Sequence, residues 1–499
     1  MMNYELQGEK PSEFALQLAE EASAKKHAAL KQKLGQYFTP VEAARLMAGF
    51  AENLTTGNYI RILDPGAGTA LLSCALIEYI VMETSGRFSQ LQEIELVVFE
   101  IDKSIIPYTR LSLNYLKDWT AARGIRLKFD LHEIDFIDEY KNVLQNNYLS
   151  DSPENPEKFD IIISNPPYFK LHKDDPRAHA ADKILNGHLN IYFIFIYISA
   201  CLLKNNGELL FLIPRSFCSG NYFKEFRSKL LKLIKLEHIH LFSSKCNLFE
   251  QNSVSSEAVI VRGVKTNESK TIYALDVSYS ESLRDKISFN YSYSFDAEKN
   301  IIYLPSSQAE KNVIDIVTSW KGSLNSLGFR ISAGRLLKSK ASAFMSDSSE
   351  TTNNIYAAVL NLNGFSGYIK VCGETEDLLI PDRNYLLLRR YNTKYDDRRI
   401  SAAVYIPDKS KDSSNTSGLV ALDKQLLYAE KPENIDKDEL AGIAAVLNSR
   451  LMDKYIKIAY GDINLSPDEI AELPLPPVEI IKEAGRNFLK FDLLFSFQT

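Results

Sequence analysis

The chain reads as an α/β protein: a mixed, mostly parallel sheet with crossover helices, followed by a second domain of mixed α+β character. Three observations carry that reading. Short apolar runs alternate with longer helical patterns from Tyr59 to about residue 265, as βαβ units do. At 499 residues the chain exceeds the roughly 250–300 residues at which a single core stops growing, so more than one domain is expected. From about residue 266 the texture changes to short strands, tyrosines and Ser/Asn/Asp/Lys loops. The expected divisions are a helical N-terminal extension over 1–35, an α/β domain over 36–265 and a second domain over 266–499.

The elements follow in order. Residues 12–33, "SEFALQLAEEASAKKHAALKQK", have helical spacing and good helix formers. The pattern breaks at "LGQYFTP", and a second helix starts at "VEAARLMAGFAENL", with Thr39 as N-cap and Pro40 at the first helical position. Strand "YIRILDP" leads through "GAGTA" into the helix "LLSCALIEYIVMET". Strand "IELVVFEID", the helix through "IPYTRLSLNYLKDWTAARG" and strand "IRLKFDLHEIDF" come next. "FDIIIS" is a buried strand, and the apolar "LNIYFIFIYISACLL" reads as a buried helix on length. "GELLFLIPRSF", "LEHIHLF" and "SEAVIVRGV" supply further strands. "KSKASAFMSDSSETTNN" and "PDKSKDSSNTSG" read as exposed loops, and "DKDELAGIAAVLNSRLMDKYIKIA" with "SPDEIAELP" as a closing helical pair. There is no fixed-period repeat of the solenoid kind.

Composition narrows the class. The formal net charge of −6 argues against wholesale coating of nucleic acid, while a local basic cleft is still allowed. Five cysteines stand singly, without CxxC pairs or zinc spacing, as expected of free thiols in a reducing cytosol, and no metal is expected. The N-terminal "MMNYELQGEKPSEFALQ" lacks a signal pattern. The most apolar run, about fifteen residues, is too short to span a bilayer, so a cytoplasmic protein is expected.

Two stretches carry chemistry. In "ILDPGAGTALL" the strand ends on Asp64, and Gly66 and Gly68 allow a sharp turn and a close backbone approach to a ligand. The spacing is D-x-G-x-G, with neither the G-x-G-x-x-G of dinucleotide folds nor the Lys of a phosphate-binding loop. The loop therefore suits a nucleoside carrying an amino acid; the alternative is a plain strand-to-helix turn. Glu100 ends the next strand, where a carboxylate can accept both ribose hydroxyls, with Asp102 close by as a possible helix cap. Asp135 and Phe136 end the third strand, where an Asp can accept from an adenine amino group and a Phe can pack on the ring; a cap and a core residue are the alternatives. The second stretch, "FDIIISNPPYFK", stops an apolar strand on Asn165-Pro166-Pro167-Tyr168. Proline ends a central strand, so a turn is the simple reading. Open α/β sheets also place their chemistry just beyond the carboxyl ends of strands.

Together these residues resemble an S-adenosylmethionine-dependent methyltransferase. The order of "GQYFTP", "DPGAG" and Asn165–Tyr168, with a large second domain after them, is similar to the gamma-type DNA adenine-N6 methyltransferases of restriction–modification systems. "IPRSFCSGNYFKEFR" and "GDINLSPDEIAELPLPP" resemble the PstI/BsuBI-like members. The resemblance implies a Rossmann-like methyltransferase domain with a C-terminal target-recognition domain. It implies that Thr39 touches the methionine part of S-adenosylmethionine. Asp64 with Gly66 and Gly68 would hold its amino acid end, Glu100 the ribose and Asp135 the adenine. Phe249, in "CNLFEQNSVSSEAVIV", matches an aromatic that contacts the flipped target base, although Glu-Gln-Asn follows it where a Pro and Lys-rich segment is common.

The Asn165 motif then has a chemical reason. An adenine amino nitrogen is a poor nucleophile because its lone pair is delocalised into the ring. The Asn165 side-chain oxygen and the Pro166 carbonyl, oriented by the two prolines, can accept its hydrogens and localise that pair. Tyr168 offers a flat face for a base that must leave the duplex. Asn-Pro-Pro-Tyr also occurs in enzymes that methylate glutamine in proteins or guanine in RNA, so an RNA or protein N-methyltransferase is the alternative. A non-catalytic DNA-binding subunit needing a partner is a further one. Those enzymes resemble the first domain alone, whereas here some two hundred residues follow, best explained as a reader of double-stranded DNA. Candidate DNA contacts are Lys338 and Lys340, and Arg389, Arg390, Arg398 and Arg399, with a solvated charged face as the alternative. Lys170, Lys173 and Arg177 follow the catalytic loop and could hold the strand near the flipped base. No nuclease constellation is evident, so a cognate restriction endonuclease, if there is one, is expected to be a separate protein.

Overall fold

The computed structural model describes residues 9–25, 39–52, 57–82, 89–145, 158–182, 190–242, 258–266, 271–281, 289–297, 300–347, 355–391, 398–407, 417–432, 435–461 and 464–489. Two compact units divide the chain, Met1–Ser306 and Ser307–Thr499.

The first unit is built on nine strands: β1 Tyr59–Pro65, β2 Glu93–Phe99, β3 Arg126–His132, β4 Phe159–Ser164, β5 Leu203–Pro214, β6 Ile234–Phe242, β7 Ala258–Lys265, β8 Ile272–Ser280 and β9 Phe289–Asp296. Their spatial order is β3-β2-β1-β4-β5-β7-β6-β8-β9. The strands from β3 to β5 run parallel, and β7 is antiparallel to both β5 and β6. After β1 the chain builds outward to β2 and β3, then returns to lay β4 on the other side of β1. The crevice at that reversal is where open α/β sheets bind ligands.

Both faces of the sheet are covered, which explains why its strands read as continuous apolar runs. Ile161 and Ile163 face a layer that includes the helices Val41–Gly49, Leu71–Met82 and Ile106–Ala121. Ile162 faces the opposite layer, filled by the apolar helix Ile191–Leu202. That helix has eleven buried residues in its twelve, as its composition predicts.

Three boundaries differ from the sequence expectation. The sheet does not stop at residue 265: β8 pairs with β6 and β9 with β8, so the first unit runs to Ser306. β6 would otherwise be left with an open edge, and polar-looking tyrosine and serine strands close over it. The N-terminal helix Pro11–Ala24 is part of this unit, not an extension from it. It rests on Glu78, whose carboxylate accepts from the Ser12 hydroxyl at 2.7 Å and the Ser12 backbone N–H at 3.3 Å. Phe14 stacks on Tyr115 at 4.4 Å, and the Tyr115 hydroxyl donates to the Glu9 carbonyl at 2.7 Å. Finally, the second helix begins at Val41, with Pro40 as the flanking residue and no side-chain cap. The Thr39 hydroxyl is used elsewhere, as described below.

The second unit holds two small sheets. One orders the strands Arg330–Ala333, Leu426–Glu430, Tyr385–Arg389 and Ala402–Tyr405; the other orders Met345–Ser346, Gly364–Lys370, Tyr356–Asn361, Leu419–Leu422 and Leu379–Pro381. The helices Lys437–Leu447 and Val478–Leu489 pack so closely that a Cβ on Gly442 would fall 1.8 Å from the Ile481 carbonyl oxygen. The expected mixed α+β character is thus observed. Among the described residues no helix is long and apolar enough to cross a membrane.

Replacing Glu78 by Ala leaves the buried Ser12 donors without their acceptor. Hydrogen bonds to charged groups contribute about 1.5–3 kcal/mol each, so Glu78→Ala is expected to lower the unfolding free energy by about 2 kcal/mol. Urea denaturation measures this, and faster amide exchange across Pro11–Ala24 would locate the loss.

Candidate active site

The glycine loop sits at the carboxyl end of β1. Gly66 has φ 76° and Gly68 φ 57°, conformations that L side chains adopt only under strain. The loop is tied down from several directions. The backbone N–H groups of Gly66 and Ala67 both donate to the Phe99 carbonyl at the end of β2, each at 2.9 Å. The buried Glu100 carboxylate accepts from the Gly68 N–H and, through its other oxygen, from the Asp102 N–H, both at 2.8 Å. The Thr109 hydroxyl donates to the Gly68 carbonyl at 2.6 Å, and the Thr69 hydroxyl to the Ala15 carbonyl at 3.1 Å. A Cβ at Gly68 would meet nothing within 4 Å, so the loop presents open space there.

Asp64 does not face that space. It is fully enclosed beneath the loop, and one carboxylate oxygen accepts from the Ser73 hydroxyl at 2.5 Å. The other oxygen, Oδ1, has no hydrogen-bond partner among the described residues. Burial pushes the carboxyl up to about 7 from a normal 3.8. The strand end turns the side chain inward, onto the helix Leu71–Met82. The open space at Gly68 fits a small ligand that approaches the backbone of this loop.

The third strand end is also rearranged. Asp135 caps the short helix Phe136–Glu139, accepting from the Ile137 N–H at 2.8 Å, and its second oxygen accepts from Arg177 at 3.2 Å. Arg177 is in turn bound by Asp175 through contacts of 2.9 and 2.7 Å. Its guanidinium is thus held by two carboxylates. Phe136 is only 2% exposed and packs among Phe99, Tyr140 and Phe195, so it belongs to the core, the alternative left open for it. Two aliphatic residues are exposed at these strand ends instead, Ile101 at 55% and Ile134 at 45%. The signal for them is in the sequence: both strands run out into the same tripeptide, Glu100-Ile101-Asp102 and Glu133-Ile134-Asp135.

The loop after β4 lies next to the glycine loop because the buried Ser164 hydroxyl donates to the Pro65 carbonyl at 2.7 Å. Pro166 is buried, and Asn165, Pro167 and Tyr168 are half-buried. The Asn165 Nδ2 donates to the Thr39 hydroxyl oxygen at 3.0 Å. The Tyr168 hydroxyl lies 2.5 Å from Asn165 Oδ1 and 2.6 Å from the Leu212 carbonyl. The Tyr168 ring meets Tyr192 edge-on at 6.1 Å. Lys170 is exposed, with its ammonium 5.5 Å from the Tyr222 ring centroid, and Lys173 is exposed beyond it. Phe249 lies outside the described residues.

In the second unit, Lys338 and Lys340 are exposed on the short helix Lys338–Ala341. Arg389 ends a strand, and Arg390 donates to the Lys424 carbonyl at 3.4 Å with its guanidinium 5.2 Å from the Tyr391 ring. Arg398 is exposed, and the Arg399 N–H donates to the Asp453 carboxylate at 2.9 Å.

A sheet ordered β3-β2-β1-β4-β5-β7-β6 with β7 reversed, carrying a glycine loop after β1, is the fold of the class I S-adenosylmethionine-dependent methyltransferases. S-adenosylmethionine is its cofactor. More narrowly, residues 88–249 match the Eco57I restriction-modification methylase family model. It is 27% identical over 483 residues to the type II methyltransferase M.BsuBI of Bacillus subtilis, covering 91% of this chain and 90% of that one. It is 25% identical over 480 residues to M.PstI of Providencia stuartii, covering 92% and 90%. The ATP-dependent Type ISP restriction–modification enzyme LlaBIII, in its structure bound to DNA, superposes with a TM-score of 0.50 at 12% identity. That match covers 98% of this chain and 41% of that one, and is a likeness of fold.

Asp64 gives a pH signature. Between the normal value of 3.8 and about 7, the folded chain holds a proton that the unfolded chain releases, so this group's contribution to stability declines as pH rises through that window. Without cofactor, Asp64→Asn is expected to match the wild type in Tm near the lower value and to exceed it above the upper one. A series of thermal melts across that range measures the difference.

Proposed function

We propose that this protein is a site-specific DNA methyltransferase that modifies the N6 amino group of an adenine flipped out of a short double-stranded sequence. We further propose that it serves as the modification enzyme of a type II restriction–modification system, beside a separately encoded endonuclease. Met1–Ser306 would be the catalytic domain and Ser307–Thr499 the target-recognition domain. The observation that carries this reading is the position of Asn165: its amide stands at the end of β4, joined through Ser164 to the last residue of β1.

When bound, S-adenosylmethionine supplies a methyl group already activated on a sulfonium, so the work left to the chain is alignment and charge. In this reading the glycine loop and Thr39 hold the methionine end, with Asp64 supporting the loop from beneath. Glu100, held just beyond β2 by its bonds to Gly68 and Asp102, accepts the ribose hydroxyls. Asp135 accepts from the adenine of the cofactor, and Ile101 and Ile134 flank that ring.

Asn165 Oδ1 and the Pro166 carbonyl accept the two hydrogens of the target amino group. As the nitrogen bonds to the methyl carbon, the carbon–sulfur bond would break with its electron pair left on sulfur; the positive charge gained by nitrogen would be stabilised by these fixed acceptors until one amino proton is lost to solvent. Tyr168 stacks on the flipped base, with Phe249 proposed as a second contact. Base–aromatic stacking is worth about 1–3 kcal/mol, which offsets part of the few kcal/mol of flipping. Lys170 and Lys173 suit phosphates next to the flipped nucleotide. Lys338, Lys340, Arg389 and Arg390 are the proposed contacts of the second domain.

Single-molecule sequencing of genomic DNA from cells expressing the protein, beside an empty-vector control, tests the reading. N6-methyladenine confined to one short motif is expected. Its absence, with S-adenosylmethionine still bound by the purified protein, would reject the DNA substrate in favour of RNA or protein. Asn165→Ala is expected to lower methyl transfer at least about a hundredfold, the scale of losing one charge-stabilising hydrogen bond, while cofactor Kd stays near wild type. Transfer of a labelled methyl group together with calorimetry measures both.

A further inference from the structure

We propose that Thr39 is a positioning residue for Asn165: with its own hydroxyl proton committed to the cofactor, Thr39 must accept from Nδ2 and so turns Oδ1 toward the target amino group. The inference rests on the adenine-N6 reading above, in which Thr39 meets the carboxylate-bearing end of S-adenosylmethionine. It adds a coupling between the two halves of the site.

An amide side chain has nearly the same shape in its two orientations, and only one is productive. With Oδ1 forward it accepts from the amino group; with Nδ2 forward it sets donors against donors. The neighbours decide between them. On one side stands the Thr39 hydroxyl, 3.0 Å from Nδ2, on a residue that is almost fully buried. A threonine hydroxyl both donates and accepts, so by itself it tolerates either orientation. Once its proton goes to a carboxylate, it is left as an acceptor, and only Nδ2 can face it.

On the other side stands the Tyr168 hydroxyl, 2.5 Å from Oδ1 and 2.6 Å from the Leu212 carbonyl. A phenol carries one proton and can serve one of those acceptors at a time. Before the base arrives, that proton satisfies Oδ1. Because Oδ1 has two lone pairs, it can keep the phenol proton and still accept one hydrogen of the target amino group. The relay is anchored on the scaffold at both ends, by β5 at Leu212 and by the start of the helix Val41–Gly49 at Thr39. Thr39 is also released from the capping role that its sequence position suggested, since that helix has no side-chain cap.

Thr39→Val removes both hydrogen-bonding functions at nearly constant volume, and Thr39→Ser keeps them. With saturating cofactor and DNA, Thr39→Val is expected to lower kcat at least about tenfold, and Thr39→Ser to stay within about threefold of wild type. A binding measurement reports the orientation without turnover. Duplexes carrying adenine or purine at the target position, purine lacking the amino group, are titrated with and without S-adenosylhomocysteine. In the wild type S-adenosylhomocysteine should raise the preference for adenine over purine, and in Thr39→Val that increment should vanish. By reciprocity, S-adenosylhomocysteine should bind the adenine-DNA complex more tightly than the purine-DNA complex by the same factor. If Thr39→Val loses cofactor affinity but keeps kcat and the increment, Thr39 is a cofactor contact only and the inference is overturned. Thr39→Ala carries the same expectations should the valine variant fail to fold. A wild-type enzyme that makes no N6-methyladenine overturns the underlying reading and the inference together; a methylating wild type with an unaffected Thr39→Val overturns the inference alone.

Discussion

The hydrogen bond from Ser164 to the Pro65 carbonyl joins two strand ends that are 99 residues apart in the chain. β1 and β4 pair directly only at Ile62–Ile161 and Leu63–Ile162, so this bond extends their junction to where both segments turn away. On the other side of β1, the Phe99 carbonyl takes the N–H groups of Gly66 and Ala67. The glycine loop is thus pinned to one neighbouring strand while the Asn165 loop is pinned to it from the other. Everything placed near the reversal point of the sheet inherits its position from those few bonds. A methyl transfer between two bound molecules depends on such relative placement, because alignment is most of what the enzyme contributes.

The acidic residues at the three strand ends share a principle. Each spends part of its hydrogen-bonding capacity on the protein before any ligand arrives. Asp64 holds Ser73, Glu100 bridges the N–H groups of Gly68 and Asp102, and Asp135 caps a helix and binds Arg177. A carboxylate has about four lone-pair positions, so these commitments orient the group without exhausting it. The result is a set of carboxylates whose directions are set by the fold.

The N-terminal segment contributes more than a cover. The helix Pro11–Ala24 touches the glycine loop through the Thr69 hydroxyl and grips the following helix through Glu78. Thr39, some residues later, reaches the Asn165 amide. Two stretches ahead of β1 therefore close over its carboxyl end. The second unit is organised differently, as two small sheets with paired helices, and carries two exposed lysines, Lys338 and Lys340, on a short helical turn.

Much was legible in the sequence alone. Alternating apolar runs and helical patterns give the βαβ series because burial on both faces leaves no other place for strands such as Phe159–Ser164. The D-x-G-x-G loop and Asn-Pro-Pro-Tyr carry local backbone constraints that any fold must honour, so their positions at strand ends follow from composition. Tertiary structure decided what depends on neighbours distant in sequence. Whether Asp64 faced a ligand or the core turned on Ser73; whether Phe136 lined a cavity turned on Phe99 and Phe195. That Arg177 pairs with Asp135 and Asp175 follows only from the fold. Thr39 looked like a helix cap until the fold brought Asn165 within reach. A side chain's type limits what it can bond, but which bond it makes is settled by the groups that packing delivers to it.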